Sequence, residues 1–243
     1  MTLSEQQLIS EQQSITENMN SLQTIEEEVD TSVASDYSIG IAFSLKESVP
    51  SPVKYDKLFR ILSDKYHRRS KKGIMCYEMY NADTTEVKPH VDYEEYIDSS
   101  MYSMDLEVEI KEKLEDRLCQ VFGVDASEWA IACDTRPITD KKNKKYGKTK
   151  VSYHFVLWTR KCKVPQLKQF IAENLSKFEA DGLDGMDTSI YRTGMNKFRT
   201  PMAKKDINDE ASLSIPITYK TIDNFYKHLV TYTSVCDLID FEF

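Results

Sequence analysis

At 243 residues, 40% hydrophobic and 30% charged, the chain has the composition of a globular protein, large enough for one generous domain or two fused modules. No apolar run nears the roughly eighteen residues that span a bilayer. No basic-then-apolar leader is seen at the start, so neither a membrane span nor a secretory signal is expected. The net charge of −8 argues against a uniformly basic nucleic-acid binder.

That charge is unevenly spread. Residues 1–45 hold eight acids and no Lys or Arg. Removing those eight from the 40 acids leaves 32, which balances the 32 Lys and Arg of residues 46–243. Leu8, Ile15, Leu22 and Val29 recur every seven residues in the acidic segment, as a helix would place them. Gln12 and Glu26 interrupt the stripe, so residues 1–45 are expected to form a separable, partly helical tail. The Ser/Pro patch at Ser48–Pro52 marks the entry to a body spanning 46–243. Within it, cations cluster at His67–Lys72, Lys141–Lys150, Arg160–Lys163 and Lys204–Lys205. Such runs suit phosphate contacts, although a lysine run by itself is more often a solvated loop.

In chain order, the spacing predicts strands at Gly73–Tyr80 and Val87–Glu94, rich in aromatic and β-branched residues. Met104–Phe122 reads as a helix, with Leu106, Ile110, Leu114, Leu118 and Val121 on one face and Gly123 closing it. Strands are predicted at Glu128–Thr135 and Lys150–Trp158, on either side of the lysine-rich loop. A second helix is predicted at Val164–Phe178, a short strand after Gly182 and Gly185, and a last helix at about Thr221–Thr231. The fold class is α+β with mostly antiparallel sheets. Cys76, Cys119, Cys133, Cys162 and Cys236 are odd in number and never form C-x-x-C, which predicts reduced thiols in an intracellular compartment and no zinc site.

Three segments set charged groups into apolar strands. In His90-Val91-Asp92-Tyr93-Glu94, alternate residues share a face, so Asp92 and Glu94 project together. Two adjacent carboxylates repel, and a divalent cation is the usual resolution, though a water-facing strand end would show the same pattern. In Lys150-Val151-Ser152-Tyr153-His154, the same period puts an ammonium, a hydroxyl and an imidazole in one row, a donor strip suited to a triphosphate. Met186-Asp187 supplies a third acid in an apolar setting, followed by Tyr191, Phe198-Arg199 and Lys204-Lys205. Three carboxylates and several cations are the components of two-metal phosphoryl transfer.

In this order the segments resemble the motifs of the archaeo-eukaryotic primase superfamily, in its PrimPol-like eukaryotic and viral branch. The D-x-D/E motif is matched by Asp92-Tyr93-Glu94, and S-x-H by Ser152-Tyr153-His154 with Lys150 upstream. The hydrophobe-Asp motif is matched by Met186-Asp187, and the F-R element by Phe198-Arg199 with Lys205 beyond. The likeness runs from about residue 66 to 206. It implies a small N-terminal α/β module packed on an RRM-like module, and a DNA primase or primase-polymerase working on single-stranded DNA with NTP or dNTP. Asp92, Glu94 and Asp187 would hold a Mg²⁺ or Mn²⁺ pair. Lys150, Ser152, His154, Arg199 and Lys205 would hold the triphosphate, and Arg69 would reach template or nucleotide. Relatives often carry a helicase or a zinc-binding module, so the expectation is either a stand-alone core that draws on a separate partner for one or a piece of a longer polypeptide. A catalytically silent single-strand-binding domain and a metal-dependent nuclease on a related fold are the competing classes. Gly147-Lys148-Thr149 is not a phosphate-binding loop, because the first glycine of that signature falls at Lys142.

Overall fold

The computed structural model describes residues 38–42, 49, 51–67, 74–205, 212–219, 222–239 and 241. The heptad stripe of Leu8 to Val29 and the cationic residue Arg69 lie outside them. The fold is α+β with mostly antiparallel sheets. Among the described residues, no helix is long and apolar enough to cross a membrane.

The first sheet has the order β10–β3–β1–β2, built from β1 (Ser38–Ala42), β2 (Ser51–Lys54), β3 (Tyr77–Asn81) and β10 (Met195–Arg199). The body therefore begins earlier than residue 46. Acidic composition marks 1–45 as a tail, but Ile39, Ile41 and Ala42 are buried and β1 pairs antiparallel with both β2 and β3. Helix α1 (Tyr55–His67) packs against this sheet through Tyr55, Leu58 and Leu62, at the i, i+3, i+7 spacing of one helical face.

The second sheet has the order β11–β6–β8–β5, from β5 (His90–Asp98), β6 (Trp129–Cys133), β8 (Lys148–Leu157) and β11 (Ile215–Pro216), with β7 (Arg136–Pro137) also on β8. Helices α2 (Met104–Phe122) and α3 (Val164–Glu179) cover one face. Ile110, Leu114, Leu118 and Phe122 from α2 and Leu167, Phe170, Ile171 and Phe178 from α3 meet Val151, Tyr153, Phe155 and Leu157 of β8 there. Burying each large apolar side chain contributes about 1.5–3 kcal/mol, so this layer anchors the sheet whose other face carries the site. The ends of α2 are set locally: Ser103 accepts from the Leu106 amide at 3.1 Å, and Gly123 adopts a left-handed φ of 64°. A small sheet of β12 (Asp237–Leu238), β9 (Arg160–Lys163) and β4 (Glu86–Val87) closes the edge.

Two predicted elements change. The short strand expected after Gly182 and Gly185 comes only at β10, Met195–Arg199; directly after Gly185 there is a single bridge, Met186 to Tyr93, then a 3-10 turn at Thr188–Ile190. The last helix is a 3-10 helix, Ile222–His228. Phe225 and His228, three apart, both bury, as a three-residue repeat requires, and β-branched Val230 and Thr231 follow where an α-helix would have to continue.

Candidate active site

The site occupies the face of β5 and β8 opposite the helices, where β10 of the first sheet approaches. Period-2 alternation puts Lys150, Ser152 and His154 on this face because Val151, Tyr153 and Phe155 fill the core. The β5–β8 register sets Asp92 opposite His154, Glu94 opposite Ser152 and Tyr96 opposite Lys150. The first carboxylate pair and the donor strip thus face each other across two hydrogen-bonded strands. The third acid arrives by backbone pairing: the Glu94 amide donates to the Gly185 carbonyl at 2.7 Å, and the Asp187 amide to the Asp92 carbonyl at 2.8 Å. The Asp187 side chain then accepts from the Ser189 amide at 2.8 Å, which starts the 3-10 turn.

The cations enter from two directions. Lys150 is buried and its ammonium contacts Glu94, whose second oxygen accepts from the Tyr96 hydroxyl. Lys205, half exposed, stands 3.8 Å from the same Glu94 carboxylate. Arg199 is buried at the end of β10, donating to Asp134 at 2.8 Å and to the Ser212 carbonyl at 3.0 Å. Asp134 also accepts from Arg136 and donates its amide to the Ser152 carbonyl at 2.9 Å. Eight of the nine candidate residues are therefore brought together on this face by strand register and contacts. Asp134 was not among them. Its only signal is an acid directly following the apolar strand Trp129–Cys133, with Arg136 two residues on.

Electrostatics follow from burial. Desolvation pushes the Asp92 carboxyl up to about 7; Lys150 and Arg199 oppose this, while Glu94 and Asp187 add to it. Burial also pulls His154 well below its ordinary value, and Arg199, Lys150 and Lys205 pull it further. His154 is thus a neutral imidazole at neutral pH, and its 3.4 Å approach to Asp92 is not a charged pair. For Glu94, burial works against ionisation, but Lys150, Tyr96 and Lys205 together hold it below the usual carboxylate range.

Asp92 Oδ1 and Ser152 Oγ are buried without a hydrogen-bond partner. Buried oxygens left in this way cost free energy, and a hard cation satisfies a carboxylate oxygen. Asp92 with the adjoining Asp187 fits a divalent ion in donor type. Glu94 is diverted to Lys150, and among the described residues no three His, Cys, Asp or Glu side chains form a ready ligand group.

Neither a scan against protein-family models nor a search of curated proteins finds a match for this chain.

Proposed function

We propose that this chain is a template-directed nucleotidyltransferase of the archaeo-eukaryotic primase type, a DNA primase or primase-polymerase. The observation that carries the reading is the register: Asp92 and Glu94 stand opposite His154 and Ser152, with Asp187 tied by its amide to the Asp92 carbonyl. A binding module has no need of acids so arranged, whereas phosphoryl transfer does. Its substrates are single-stranded DNA as template and NTP or dNTP. Asp92 and Asp187, with Glu94, would hold Mg²⁺ or Mn²⁺, which supplies activation of a 3′-hydroxyl and neutralises the pyrophosphate leaving group.

The remaining roles belong to protein groups. Lys150, Ser152, His154, Arg199 and Lys205 bind the triphosphate. His154, neutral, acts by hydrogen bonding, and Arg199 acts as a fixed guanidinium because Asp134 and Ser212 hold its orientation. Among the described residues no cysteine forms a disulfide, which fits a reducing, intracellular setting.

Primer extension with Mn²⁺ and dNTP or NTP, run beside a DNA-cleavage assay, tests the reading. Asp92→Ala and Asp187→Ala each abolish incorporation, and His154→Ala raises the apparent nucleotide KM while leaving DNA titration nearly unchanged. Cleavage without extension moves the protein to the nucleases, and DNA binding with neither activity to the silent binding domains.

A further inference from the structure

We propose that Lys150 is an internal counter-cation in the carboxylate site, displaced from Glu94 when a divalent metal binds and thereby released toward the triphosphate. This rests on the nucleotidyltransferase reading and adds to it an order of events.

The geometry is a site already filled by the protein's own charge. Lys150 is 2% exposed, and its ammonium contacts Glu94 Oε2 diagonally across the β5–β8 ladder. The Tyr96 hydroxyl occupies Glu94 Oε1, and Lys205 lies 3.8 Å from Oε2. Every described charge partner of Glu94 is thus a donor from the chain itself. Directly across from Glu94, Ser152 is 1% exposed and its hydroxyl has no hydrogen-bond partner. Asp92 Oδ1, two residues along on the same face, also lacks one. The pocket therefore holds unpaired oxygen donors beside a carboxylate that an ammonium has claimed.

An ammonium and a divalent cation cannot share one carboxylate oxygen without strong repulsion at this depth. Binding the metal through Glu94 requires Lys150 to leave, and a buried lysine that loses its anion needs another. Asp134 is a further acid whose charge acts on Lys150, but it already serves Arg136 and Arg199. A phosphate oxygen of the incoming nucleotide is the anion the reaction itself brings. Metal and nucleotide binding are then positively coupled, each favouring the arrangement the other needs.

The test is Mn²⁺ binding, read by loss of the free-ion paramagnetic resonance signal without nucleotide, for the parent chain, Lys150→Met and Asp92→Ala. Lys150→Met keeps the apolar stem and removes the competitor, so its Mn²⁺ Kd falls roughly tenfold although it is a poorer catalyst. A second measurement needs no variant: acylation of Lys150 in the parent chain, followed by mass spectrometry, rises when Mn²⁺ is added. If Lys150→Met fails to fold, this labelling decides alone. Asp92-dependent Mn²⁺ binding that is no tighter in Lys150→Met, with unchanged labelling, overturns the exchange and leaves the metal site standing. Absence of Asp92-dependent binding in both the parent and Lys150→Met overturns the metal site, and the exchange with it.

Discussion

The backbone amide of Asp187 donates to the backbone carbonyl of Asp92 at 2.8 Å, across 95 positions of sequence. The two acids are therefore held by main-chain bonding, with their side chains left to answer to the solvent, the cations and each other. Loss of either carboxylate should leave that bond intact. Distortion of the backbone that makes it should not.

Gly185 is where such a distortion can be introduced. A Cβ there would sit 2.8 Å from the Glu94 carbonyl oxygen and 2.9 Å from the Tyr93 ring, neither of which can yield easily. Gly185→Ala should push residues 185–187 away from β5 and move Asp187 off Asp92. A shift of about 1 Å in a reacting group costs on the order of 100-fold in rate. Extension assays and denaturant unfolding on the same sample check this. A variant that loses stability but keeps its rate would show that Asp187 does not need the Asp92 contact.

Asp92 should make the metal-free protein sensitive to pH. Its folded carboxyl sits at about 7, above the ordinary value of 3.8. The protonated form is thus favoured by folding, a contribution complete below about pH 4 and lost as pH rises through 7. Asp92→Asn cannot ionise, so it should exceed the parent in stability by roughly 4 kcal/mol at pH 8, with the gap closing toward pH 4. Urea melts in chelator at both pH values measure the difference. A gap independent of pH would mean that Asp92 ionises freely in the folded chain.

Glu78 on β3 accepts from the Val230 amide at 2.9 Å, the Thr231 amide at 2.9 Å and the Thr231 hydroxyl at 2.7 Å, fully buried. Glu78→Ala removes the buried acceptor of all three and should cost about 3–5 kcal/mol. Glu78→Gln keeps one acceptor oxygen and should cost less. Equal losses in the two melts would show that these hydrogen bonds do not hold the turn after the 3-10 helix.

The lysine-rich hairpin between β7 and β8 leaves Lys141, Lys142, Lys144 and Lys145 exposed, and Lys145 reaches 4.7 Å from the centre of the Tyr96 ring. Tyr96 in turn donates to Glu94, so the hairpin borders the carboxylates. Replacing Lys141, Lys142 and Lys144 with Gln should weaken single-stranded DNA binding. The slope of log affinity against log salt should fall by about 2, at roughly 0.7 per phosphate contact. Fluorescence titrations across salt concentrations read this directly. An unchanged slope would make the hairpin a solvated loop.

The faces of β5 and β8 were legible because alternation of Val151, Tyr153 and Phe155 with Lys150, Ser152 and His154 admits one inward set. Their register was not. A shift of two residues preserves every face, and only the fold pairs Asp92 with His154. Asp134 escaped notice because its partner Arg199 is 65 positions away, beyond any local pattern. Strand β1 was hidden by the acids upstream, whose composition says nothing of the five-residue run Ser38–Ala42. The final 3-10 helix was overread because Phe225, Leu229 and Val230 supply an apolar rhythm without the propensity to sustain an α-helix.

The stretch from Gly185 to Arg199 bonds first to β5 of one sheet and then, as β10, to β3 of the other. During synthesis at the ribosome, β1, β2 and β3 emerge long before β10, and β3 waits with a bare edge. Such an edge recruits neighbouring chains. A nascent or prematurely terminated polypeptide ending before Met195 should therefore be more prone to aggregate than the full chain.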